Sequence, residues 1–172
     1  MIRLIGVFLL IGSCIGIGLW TGKKEQMRMQ QLVELIRSMD YLKGEISFAR
    51  TTLPEAMEHL SGRLLFPFDQ LFLGLGQDLK KYPGSGFGEI FRQAIEREKG
   101  KWELLPEDVE NFYQACCNLG YLDKEMQIHI LERYSKELEK NVEQLREEMP
   151  KKMKLYRNLG VLGGIFFVII LI

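Results

Sequence analysis

Apolar residues recur along most of this chain at the spacing of an α-helix, and six stretches carry the signal. The last is the longest. From Asp123 to Met149, Leu131, Tyr134, Leu138, Val142, Leu145 and Met149 follow one another at intervals of three and four and fall on one stripe. Glu132/Lys136, Glu147/Lys151 and Glu148/Lys152 stand one turn apart with the acid first, the favourable order for exposed helix pairs. The first stretch, Glu25 to Phe48, places Leu32, Leu35, Ile36, Met39, Leu42 and Ile46 on one face. Arg50-Thr-Thr-Leu-Pro54 breaks it: Thr52 suits a helix N-cap, Pro54 a first-turn position, and Glu55 the partial positive charge of a helix N-terminus.

Four shorter helices are predicted between these two. One runs to about Leu64 with Ala56, Met57, Leu60 and Leu64 inward, and one starts near Pro67 with Phe68, Leu71, Phe72, Leu75 and Leu79 inward. Tyr82-Pro-Gly-Ser-Gly86 is the clearest loop in the chain. Phe87 to Trp102 is helical again, with Ile90, Phe91, Ala94 and Ile95 on one side. Pro106 starts a helix through Val109, Phe112 and Tyr113 to Leu119, Gly120 is suited to the position just past its end, and Asp123 to capping the last helix. No stretch sustains a period of two, so the expected fold is all-α, without a sheet.

Both ends of the chain are apolar and alter that picture. Leu4 to Trp20 carries no charge and spans ~25 Å as a helix, against ~30 Å for a bilayer's hydrocarbon core. Trp20 stands where an interfacial anchor belongs. A cleaved signal peptide is the competing reading, but no Ala-x-Ala-like site follows; a lipoprotein reading rests on Ile11-Gly12-Ser13-Cys14, after which the chain stays apolar. Leu159 to Ile172 is shorter, ~21 Å, and reaches across only with Leu155, Tyr156 and a snorkelling Arg157 or a thinned bilayer. Lys23 and Lys24 follow the first run, and Lys151, Lys152, Lys154 and Arg157 precede the last. Both biases predict a cytoplasmic central domain with the two termini on the far side. The expected organisation is therefore a membrane helix over 1–22, a six-helix cytoplasmic bundle over 23–154 and a membrane helix over 155–172. Pro150 lies between the apolar stripe and the lysines, where a kink would hand the bundle over to the membrane.

Charge and composition narrow the chemistry. The 23 basic and 23 acidic side chains cancel and are interspersed, which gives no electrostatic reason to expect nucleic acid. Three cysteines, Cys14 and the adjacent Cys116-Cys117, are too few for a disulfide framework and read as reduced. His59 and His129 have no acidic or cysteine partners at metal-ligand spacing, Tyr82–Gly86 lacks the lysine of a phosphate-binding loop, and Cys116 has no base nearby in sequence. Neither catalysis nor a cofactor is indicated, so contact with other molecules remains: a scaffold, or a membrane-anchored adaptor or regulator whose helices recruit a cytoplasmic partner.

Three stretches in order resemble the stage III sporulation protein AB family. They are Leu42-Lys-Gly-Glu45-Ile46-Ser-Phe48-Ala-Arg-Thr51-Thr-Leu53-Pro54-Glu55-Ala56, then Leu119-Gly120-Tyr-Leu-Asp123-Lys-Glu-Met-Gln127, then the closing Leu159-Gly160 run. Thr52 stands where the family often has proline, and Cys116 where a small glycine is common, which bears on local packing. The resemblance covers essentially the whole chain. It implies an inner-membrane component of a complex spanning the space between mother cell and forespore, needed for endospore development. It also implies a soluble domain similar to the six-helix repeat of type II secretion and type IV pilus platform proteins. The partners it implies are a motor ATPase and ring-forming components of the same complex, with oligomerisation of this chain supplying further copies of the domain. Physically, Glu45 is placed to accept hydrogen bonds from the Thr51–Leu53 turn, and Gln127 to tie to a neighbouring helix.

Overall fold

The computed structural model describes the backbone of residues 2–48 and 51–171, and the side chains of that span outside 2–15, 17–19, 153, 156–157 and 159–171. It is helical throughout: α1 (Ile2–Phe48), α2 (Leu53–Ser61), α3 (Phe68–Lys81), α4 (Phe87–Glu98), a 3-10 turn (Lys99–Lys101), α5 (Pro106–Cys116) and α6 (Lys124–Leu171). There are thus six α-helices and no strand among the described residues. One difference from the sequence pattern lies at the outer helices. Neither Gly22 nor Pro150 ends a helix; the apolar ends continue α1 and α6 without a break. Pro150 lies inside α6 and can give no N–H to its ladder.

Residues group into two compact units, 30–142 in one, and 1–29 with 143–172 in the other. The larger unit has an apolar core to which every helix contributes. Leu32, Leu35, Met39 and Leu42 of α1, Met57 and Leu60 of α2, Phe68, Leu71, Phe72 and Leu75 of α3, and Phe91, Ala94 and Ile95 of α4 are all buried. From α6, Leu131, Tyr134, Leu138 and Val142 are buried as well, at the spacing that the pattern set. At the centre stands Phe112 of α5. Its ring lies 5.2 Å from that of Phe91 and 6.4 Å from that of Phe72, both edge-on, and 6.5 Å from those of Phe68 and Trp102. Edge-to-face pairs at this range add to the burial of the rings themselves.

Two polar side chains on α1 belong to the same core face. Gln31 and Glu34 are buried one turn apart. The Leu65 N–H donates to Glu34 Oε1 at 2.9 Å and the Glu103 N–H donates to Gln31 Oε1 at 2.8 Å. These bonds fix the α2–α3 loop and the segment before α5 to α1, satisfying backbone donors that have no partner in regular structure. Gly76 lets α3 approach α2: a β-carbon there would stand 2.9 Å from the Pro54 carbonyl oxygen.

In the smaller unit the described side chains are mostly exposed. Lys24 Nζ lies 5.1 Å from the centre of the Trp20 ring, and Lys152 pairs with Glu148 at 2.9 Å, which holds that carboxyl below its ordinary value. Lys23, Lys24, Lys151 and Lys154 are exposed. The side chains of Arg157, of most of the Leu4–Trp20 run and of the Leu159–Ile172 run lie outside the described residues. Among the described residues, no helix is long and apolar enough to cross a membrane.

Candidate functional site

The first two motif stretches meet at one corner of the larger unit, built by a turn on each side. α1 ends at Phe48, and α2 begins at Leu53 because Thr52 is extended (φ −71°, ψ 157°) and Pro54 pre-sets the first turn. The Thr52 N–H donates to Glu55 Oε2 at 2.9 Å, closing that turn from within the helix. The Thr51 hydroxyl donates to Glu45 Oε2 at 3.2 Å, and the other carboxylate oxygen faces His59 Nδ1 at 3.7 Å. Glu45 therefore bridges the end of α1, the connecting turn and the last turn of α2. Ile46, beside it, is half-buried.

The second turn follows α5. Leu119 is buried, and Gly120 has φ +86°, the left-handed conformation that lets the chain reverse after a helix. Asp123 Oδ1 accepts the Met126 N–H at 2.9 Å and caps α6. Gln127 donates its amide to the Leu122 carbonyl at 2.6 Å, so its bond closes its own turn and does not reach another helix.

Two contacts join the turns. A β-carbon built on Gly120 would lie 3.3 Å from Leu53 Cδ2, so the second turn sits directly against the first residue of α2. Lys124 Nζ donates to the Ser47 carbonyl at 2.6 Å. A lysine in the first turn of a helix opposes that helix's dipole. Here its charge sits against the open carbonyls at the end of α1, where a cation is favourable. Around this corner Phe48, Tyr121 and Met126 are exposed, at 91%, 69% and 47%. Sequence periodicity gives no hint of these three or of Lys124. The one available signal is a lysine where a helix N-terminus disfavours it.

Hydrogen bonding at Glu55 has a pH consequence. The bond from the Thr52 N–H, the largest cause, holds the Glu55 carboxyl below its ordinary value of 4.5. A carboxyl depressed in the fold contributes stability that is complete above its unfolded pKa and is lost as pH falls through the folded one. Glu55→Gln is expected to lower the urea midpoint at neutral pH. The gap from wild type should narrow as the pH falls below that ordinary value and close only once the pH lies below the depressed folded value, where both side chains are neutral.

Among the described residues, little else suits chemistry. No group of three His, Cys, Asp or Glu able to hold a metal ion occurs among the described residues. Cys116 and Cys117 are free thiols, and burial pushes the Cys116 thiol far up, away from the thiolate a nucleophile needs. A cleft of about 120 Å³ lies between α5 and α6, lined by Asn111, Gln114, Ala115, Ile130, Arg133, Tyr134 and Glu137.

The geometry defines a class: a helical bundle whose described signature residues cap helices and tie turns together. The family model of stage III sporulation protein AB matches residues 3–172, and the chain belongs to that family. A curated relative, stage III sporulation protein AB of Bacillus subtilis (strain 168), is 22% identical over 171 residues, covering 99% of each chain. A solved structure of a stage III sporulation protein AB, 20% identical, superposes with a TM-score of 0.65 over 72% of this chain and 96% of that one, and shows the same fold. Membership gives the chain a role in sporulation, in a family that is not a known enzyme family.

Proposed function

We propose that this chain is a non-enzymatic membrane platform of a secretion-like channel between mother cell and forespore. Its apolar ends, 1–22 and 155–172, anchor it in the mother cell's inner membrane, and 23–154 forms the cytoplasmic bundle. The observation that carries this reading is the reach of the family match, which runs over residues 3–172 and so includes both apolar ends. Lys23 and Lys24 after the first run, and Lys151, Lys152, Lys154 and Arg157 before the last, support a hairpin with the bundle on the cytoplasmic side. The corner where Glu45, Thr51, Leu53, Gly120 and Asp123 meet fixes the bundle's shape, and the exposed Phe48, Tyr121 and Met126 beside it offer apolar surface for contact. By resemblance, the partners are a motor ATPase and ring-forming components of the same complex, together with further copies of this chain.

The test is a deletion strain followed through sporulation. Engulfment should be completed and late forespore-specific gene expression then lost. Normal sporulation in that strain would end the proposal.

A further inference from the structure

We draw no further inference here: the strongest candidate, the cleft of about 120 Å³ between α5 and α6 where Arg133 and Glu137 stand beside the buried, unpartnered hydroxyl of Tyr134, carries nothing because nothing in the structure shows what fills or covers it.

Discussion

Phe112→Ala is expected to cost the larger unit about 3–5 kcal/mol, a large share of the roughly 5–15 kcal/mol that holds a domain folded. The ring is fully buried and contacts Phe68, Phe72, Phe91 and Trp102, so truncation leaves a cavity bounded by four other aromatic side chains. Those rings come from α3, α4 and the segment after the 3-10 turn, and they cannot collapse onto the void without moving several elements at once. Phe112→Leu keeps most of the volume and loses chiefly the edge-to-face geometry, so its cost should be distinctly smaller. Urea midpoints of the three proteins at equal slope measure both differences. Equal losses for the two variants would show that the aromatic arrangement itself matters more than the filled space.

Gly120→Val should be the second most damaging single change, at about 2–5 kcal/mol, from two independent causes. A left-handed conformation costs an L-residue about 1–2 kcal/mol, and a β-branched one is the least able to adopt it. The new side chain also meets Leu53 Cδ2 within 3.3 Å, an overpacking worth about 1–3 kcal/mol more. The causes separate in a double mutant. Gly120→Ala carries both in milder form, and adding Leu53→Ala removes only the contact, so the pair should lose less than the sum of the single changes. Gly84→Ala is the control: a β-carbon there meets nothing within 4 Å, and no change in midpoint is expected. Additive losses in the double mutant would mean that the two turns are not in energetic contact.

The helical stripes were legible in the sequence where burial depends on neighbours within one helix. The stripes of α3, α4 and α6 fall inward largely as their spacing requires, because an amphipathic helix reports its own buried face. On α1 the pattern misleads. Ile36 and Ile46 are only half-buried, whereas Gln31, Glu34 and Ser38 are buried. Gln31 and Glu34 are inside because Leu65 and Glu103, distant in sequence, bring backbone donors to them, and a one-dimensional pattern holds no trace of that. Helix ends shifted for local reasons. α2 stops at Ser61, before Gly62, and α4 at Glu98, where a 3-10 turn containing Gly100 takes over. At the corner, the capping roles of Asp123 and Gly120 could be read from residue type alone. The Leu53–Gly120 approach and the Lys124–Ser47 bond could not, since they join segments some seventy residues apart.

The central claim is that a cytoplasmic bundle is held to the membrane by both ends of the chain. Its most direct test is a fluorescent protein inserted at Gly84, in an exposed loop, imaged in sporulating cells. Such a reporter matures on the cytoplasmic side and stays dark when exported by an unfolded route. The predicted result is a fluorescent outline on mother-cell membrane that persists in the membrane fraction. A dark reporter would contradict the orientation, and diffuse fluorescence through the mother cell would contradict the anchoring.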